Sequence, residues 1–265
     1  MSDQINIIDV TVDNVDEIGI YCIKNKKSPG YHKKVEWFKN KLNDGLRLKI
    51  ATNMEGKQLG FIEYLPSERA WRPVNAQNYY FIQCIGLFVK DAKNKKIGRT
   101  LVDQCEENAR RNKKSGVCTM TSDGTWIADR TLFEKIGFIN ADRLERFELM
   151  YKAFEDRAPL PKLNNWNERQ AEYLGWNLIY SDQCPMHEKS ITDVTQCATE
   201  NKITLNVIKL KTPKDAQNAP SGFGTYALIK DGRLLVDHCI SRTRFENILK
   251  QEKKNNYRQQ NVQRI

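Results

Sequence analysis

Between residues 46 and 51 the chain alternates strictly. Leu46, Leu48 and Ile50 fall on one side, with Arg47, Lys49 and Ala51 on the other. A period of two predicts a strand with one buried face. The turn NMEG then returns the chain into QLGFIEY, which makes the pair a hairpin. Upstream, Ile5 to Val10 reads as a strand and 14–24 as a short helix. From Tyr31 to Leu42 the period lengthens, with Val35, Phe38 and Leu42 on one face, lysines elsewhere and Gly45 as the stop. The run YYFIQCIGLFV alternates poorly, as expected of a strand buried on both faces. It ends at Val89. Leu101, Val102, Cys105 and Ala109 form a helical stripe starting near Gly98. GVCTMT is a further strand, 126–136 a helix stopped by Gly137, and RFELMYK another strand.

The pattern breaks at APLPKLNNWNERQAEYLGW, where prolines and polar residues replace periodic apolar ones. A linker is expected over 156–174, between a first domain at 1–155 and a second at 175–250. The second reads strand (176–181), helix (186–200), strand (TLNVIKL), hairpin (GTYALIKDGRLLVDHC) and helix. Residues 251–265 read as a basic tail. No internal repeat is visible.

Composition narrows the classes. The 265 residues are 40% hydrophobic, enough for one large domain or two small ones. No apolar run approaches the roughly 20 residues that span a bilayer. The start, MSDQINIIDV, lacks a secretory pattern, so a cytoplasmic setting is expected. Seven cysteines, odd in number and scattered in spacing, do not read as a disulfide framework. The net charge of +10 admits nucleic acid or an anionic cofactor as partner. Its spread over both domains speaks against a nucleic-acid footprint, which would cluster.

The stretch KDAKNKKIGRTLVDQC, residues 90–105, places a basic loop between a buried strand and a helix. The first helical turn has free N–H groups and the positive end of the dipole, so such a junction binds anions. A lysine-rich solvated turn is the alternative. The stretch lacks Gly-Lys-Ser/Thr, and so is no P-loop, and it has no GxGxxG.

The order of elements over residues 5–152, with this loop after the fourth strand, resembles the GNAT family of acyl-CoA N-acyltransferases. The resemblance implies an α+β or α/β chain whose first domain has a mixed, mostly antiparallel sheet. The family's loop motif, Arg/Gln-x-x-Gly-x-Gly/Ala, stands here as Lys93-Asn94-Lys95-Lys96-Ile97-Gly98, with Lys96 in place of the middle glycine. The resemblance implies that this loop, Arg99, Thr100 and the strand end Leu87, Phe88 and Val89 hold acetyl-CoA. TLFEKIGF looks like the family's late signature, with Phe133 where many members carry a tyrosine that protonates the departing thiolate. Phenylalanine has no proton to give.

The implied reaction transfers an acetyl group to an amine of a small molecule or peptide by direct attack on the thioester. An amine that must lose a proton calls for a base. Glu63 on the third strand is the first candidate, its alternative reading being a surface glutamate at the sheet edge. Asp123 is a weaker base candidate. Trp71, Arg72, Gln83 and Cys84 are expected to line the acceptor pocket. A CoA-binding protein without catalysis is the other reading, favoured by Lys96 and Phe133.

In the second domain, SDQCPMHEKS places Cys184 between a strand and a helix, where the dipole would lower its pKa. The element order looks thioredoxin-like, with His187 at the second cysteine position and Gly224 where a cis-proline is usual. Cys184 then reads as a reactive, catalytic or substrate-binding thiol, or as a relic on a scaffold. A zinc site of Cys184, His187, His238 and Cys239 has poor spacing, and no metal is expected. YSDQCPMHE and APSGFGTYALIKDGRLL, together with GFIEYLPSERAWRPV and FIQCIG, resemble a group that pairs a GNAT domain with a C-terminal YoaP module. The match spans nearly the whole chain.

Overall fold

The computed structural model describes residues 5–87 and 96–262, the side chains only as far as 255. The first half builds a seven-stranded sheet in the order β1-β2-β3-β5-β6-β8-β7. Its strands are β1 (Asn6–Val10), β2 (Arg47–Thr52), β3 (Gln58–Pro66), β5 (Tyr79–Leu87), β6 (Gly116–Ser122), β7 (Ile139–Leu144) and β8 (Phe147–Ala153). Every pairing is antiparallel except β5 with β6.

Helix α1 is Val15–Ile18 and α2 is Pro29–Lys41. The expected helix over 14–24 stops early because Gly19 turns to φ 83°. In α2, Ser28 caps the start by accepting from the Tyr31 N–H, and Pro29 fits the first turn. Helix α3 (Ile97–Arg111) covers one face of the sheet. There Ile97, Leu101, Val102 and Cys105 pack on Ile62, Tyr64 and Ile82. Of the helix expected over 126–136, only α4 (Thr131–Glu134) forms, and Trp126 takes the left-handed φ of 75°.

The stretch 156–174 is packed. Strand β9 (Lys162–Leu163) pairs with β4 (Val74–Asn75), and α5 (Asn167–Gln170) follows the buried Trp166, which stands edge-on to Phe147.

The second half builds a four-stranded sheet in the order β11-β10-β12-β13. Strands β10 (Trp176–Tyr180) and β11 (Leu205–Lys209) are parallel, joined through α6 (His187–Glu200). After α7 (Pro213–Gln217), β12 (Tyr226–Lys230) and β13 (Arg233–Val236) form an antiparallel hairpin, followed by α8 (Arg242–Val262). The beginning of the expected basic tail is part of α8, and its Glu252 pairs with Lys230 and Arg233.

The halves share a hydrophobic core, which runs from Phe38, Phe61 and Phe81 through Phe147 and Trp166 to Leu178, Phe223 and Phe245. Their seam is close. A Cβ on Gly30 of α2 would lie 2.1 Å from the Pro185 carbonyl oxygen, so that position admits only glycine without a shift. Arg146 meets Asp237 at 2.7 Å and Lys33 meets Glu188 at 2.5 Å across the same seam.

Candidate functional site

Strands β5 and β6 pair only from Tyr79 to Ile82, opposite Gly116 to Thr119. Beyond that β5 runs on to Leu87 beside β3, and β6 runs on to Ser122 beside β8. The two central strands therefore diverge into a wedge. Its cause is local: Glu63 faces Cys84 and Tyr64 faces Ile82, so Gln83 is an extra residue, a β-bulge that bends the strand. Gln83 is fixed by its side chain, which accepts from the Trp71 N–H at 2.9 Å and donates to the Trp71 carbonyl.

On one side of the wedge lies the start of α3. Its cap residue, Lys96, sits in the left-handed region at φ 55°. That explains the glycine expected there, since a lysine pays a strain of about 1 kcal/mol that glycine does not. Lys96→Gly is therefore expected to raise stability by a few tenths to about 1 kcal/mol, the unfolded chain's extra freedom taking back part of the relief. Urea unfolding would measure it. Gly98 is buried, and a Cβ there would sit 3.2 Å from Leu132 and 3.4 Å from Leu87. Its role is thus close packing of the helix start. The first turn holds no acidic residue, and Arg99 and Thr100 follow on it. Phe88, Val89, Lys93, Asn94 and Lys95 lie outside the described residues. Phe133 is fully buried and stands edge-on to Phe138, with centroids 5.3 Å apart.

The other side of the wedge faces α2 and the second sheet. There the expected base Glu63 is 1% exposed. It is no surface residue: one carboxylate oxygen takes the Lys34 ammonium at 2.5 Å, the other the Gln183 amide at 2.9 Å. Lys34 also lies 4.1 Å above the Trp37 ring. Asp123 stands apart, exposed just beyond β6.

Cys84, opposite Glu63 on β5, is half-buried, as are Cys22 and Cys184. Cys22 gives Cys84 a thiol hydrogen bond, which with Lys34 and Arg72 nearby holds the Cys84 pKa below its ordinary value, against burial and the Glu63 charge. Donating that proton holds the Cys22 thiol well above its own. Cys184 departs from the sequence expectation. The helix begins at His187, three residues later, and burial pushes the Cys184 thiol up to about 11 despite a hydrogen bond from the Met186 N–H. Iodoacetamide at pH 7 is therefore expected to label Cys84 before Cys22 and Cys184, as read by peptide mass spectrometry. Cys184 labelling first would contradict this assignment.

Arg72 is buried under the seam. It donates to the Phe223 carbonyl and lies 4.3 Å over the Phe223 ring, and burial lowers its pKa to about 10. His187 donates its Nδ1–H to the Ser181 carbonyl at 2.9 Å, and burial holds its pKa down at about 4, so it is neutral. His238 pairs with Asp237 at 2.7 Å. Among the described residues no group of three or more His, Cys, Asp or Glu is arranged to hold a metal ion. None of their helices is long and apolar enough to cross a membrane.

The structure thus brings together Glu63, Arg72, Gln83, Cys84 and Cys184 from the sequence candidates. It adds Cys22, Lys34 and Gln183, whose sequence positions are far from most of their partners, and places His187 near Arg72 and Lys34. Lys34 carried a signal: it falls on the buried stripe of α2, between Tyr31 and Phe38, at helical spacing.

A family model described as YoaP-like matches residues 204–247. The "Uncharacterized N-acetyltransferase YoaP" of Bacillus subtilis (strain 168) is 26% identical over 253 residues, which cover 91% of this chain and 97% of that protein. Two solved structures align with part of the chain. A GNAT-family acetyltransferase from Staphylococcus aureus Mu50 is 18% identical, with a TM-score of 0.40, over 57% of this chain and all of that one. A GNAT-family acetyltransferase from Brucella melitensis, in complex with acetyl-CoA, is 15% identical, with a TM-score of 0.37, over 60% of this chain and 93% of that one. This chain is similar over nearly its whole length to a protein named as an N-acetyltransferase.

Proposed function

We propose that the chain is an acyl-CoA-dependent N-acetyltransferase of the GNAT type, which moves the acetyl group of acetyl-CoA to an amine. The observation that carries this reading is the wedge between β5 and β6, opening beside the N-terminus of α3. Beyond Ile82 the edge of β5 that faces β6 is released from the ladder, so its backbone is free to orient a thioester and steady a developing oxyanion. The α3 amides after Lys96 suit a pyrophosphate, with Arg99, Thr100 and the preceding lysines adding donors.

Acetyl-CoA supplies the acyl group, and the remaining work falls to this chain. Cys84, Gln83, Trp71 and Arg72 border the acceptor side of the wedge, and much of the rate comes from holding the amine there. Glu63, held by Lys34 and Gln183, keeps unused lone pairs that take the amine proton directly or through water. The second half is a thioredoxin-like module of the YoaP type. Its strand order and the parallel β10-α6-β11 unit support this, while His187 in place of a second cysteine removes the usual dithiol. It serves as the wall of the acceptor pocket.

A second reading, CoA binding without turnover, is favoured by Phe133, which puts a buried hydrocarbon where a proton donor would stand. The test is CoA release followed chromatographically over a panel of primary amines. Acetyl-CoA binding with no CoA release from any of them would establish the second reading. Amine-dependent release establishes the first.

A further inference from the structure

Three groups surround Phe223 at the contact between the halves: Arg72 lies 4.3 Å over its ring, the His187 ring centroid is 6.1 Å from it, and the Thr225 N–H reaches its carbonyl. Arg72 is 6% exposed and, among the described residues, makes no ion pair with a carboxylate, Glu63 being matched by Lys34. Among the described residues its hydrogen bond goes to the carbonyl of Phe223 alone. The same carbonyl accepts the Thr225 N–H at 2.8 Å, so Arg72 and Thr225 flank one peptide. The Thr225 hydroxyl is buried and has no partner among the described residues. Thr225 accepts the Ser181 N–H at 3.0 Å through its carbonyl, and the Ser181 carbonyl holds His187. His187 Nε2 is likewise buried without a partner among the described residues. Gly224 keeps this arrangement tight, because a Cβ there would lie 2.9 Å from the Arg72 Cα.

Buried polar groups left unmatched are costly and are retained where a ligand completes them. The three complement one another. The guanidinium and the Thr225 hydroxyl offer donors and a positive charge. His187, with its Nδ1 proton committed to Ser181, offers an Nε2 lone pair. A carboxylate beside an N–H satisfies all three, and the guanidinium fork matches a carboxylate in geometry as well as charge.

We propose that Arg72, Thr225 and His187 form a carboxylate-binding nook, and that the acceptor is an amine carrying a carboxylate, of the amino-acid class. The word acceptor rests on the acetyl-transfer reading, whereas the nook itself does not. The second half of the chain then supplies part of the acceptor's recognition as well as covering it.

The test is calorimetric and needs no turnover. N-acetyl derivatives of the twenty amino acids are titrated into the full-length protein beside their uncharged C-terminal amides. At least one acid is expected to bind on the order of 10- to 100-fold tighter than its amide, as suits a hydrogen bond to a charged group. Arg72→Gln should bring that ratio to within about threefold of one. Thr225→Val, nearly isosteric, should weaken the acid at least threefold and leave the amide unchanged, which covers the case of an unfolded Arg72 variant. Equal binding of acid and amide, no binding of any acid, or a preference that survives in folded Arg72→Gln would each overturn the nook. If the acids bind as expected while no amine releases CoA, the nook stands and acetyl transfer falls.

Discussion

Lys34→Met is expected to cost about 3–5 kcal/mol of folding free energy, because it strands a buried carboxylate. The side chains of Lys34 and Glu63 are each 2% exposed. Methionine fills the lysine's volume but leaves Glu63 with only the Gln183 amide as a donor. It also removes the cation above Trp37. The double variant Lys34→Met/Glu63→Gln leaves no unmatched charge and should recover more than half of the loss. Urea unfolding of the wild type, both singles and the double closes the cycle. A cost below 1 kcal/mol for Lys34→Met would mean that the pair is hydrated and not buried.

The second large effect is a pH dependence. His187 has a folded pKa of about 4 against an ordinary 6.5. Between those values the unfolded chain binds a proton that the folded chain refuses, so stability rises with pH across this window. The stabilisation is complete above pH 6.5 and is lost as pH falls to 4, a change of about 3 kcal/mol at 1.36 kcal/mol per pKa unit. Asp237, held at about 2 by His238 and Arg146 despite burial, acts in a lower window, between its ordinary 3.8 and 2. The two therefore separate on the pH axis. Unfolding free energies of the wild type and His187→Asn, measured from pH 7 to pH 4, should converge as the pH falls. Parallel curves would place the histidine in contact with water and remove its unmatched nitrogen.

Much of the first sheet is legible in the chain because its apolar periods are undisturbed. The β2–β3 hairpin, α2 and α3 follow from spacing, and β5 from its nearly continuous apolar run. The failures have local causes. β7 reads INADRL and lies at the sheet edge, where no buried face forces alternation. β4 and β9 are only two residues each and exist because they pair with each other across nearly ninety residues of sequence. Gly19 and Trp126 end or delay helices through left-handed backbone, which apolar spacing does not encode.

The site divides in the same way. Glu63, Gln83 and Cys84 can be found by counting along strands, and Arg72 stands out in a loop of large residues. Their environment cannot be read so, because it is made by the second half: Gln183 reaches Glu63 across 120 positions and Phe223 reaches Arg72 across 151. The same contacts invert the expectation for Cys184, whose burial under the seam outweighs any benefit from the helix that follows. At Lys96 the left-handed cap locates the departure from glycine in backbone strain. The lysine's charge remains available to an anion.

The wedge and the start of α3 are proposed to hold an acyl-CoA. Titration of acetyl-CoA into the full-length protein by calorimetry tests it most directly. One site per chain is expected, with affinity that falls as salt rises, as suits a pyrophosphate held at the proposed basic helix start. Absence of binding by both acetyl-CoA and CoA at low salt would contradict it.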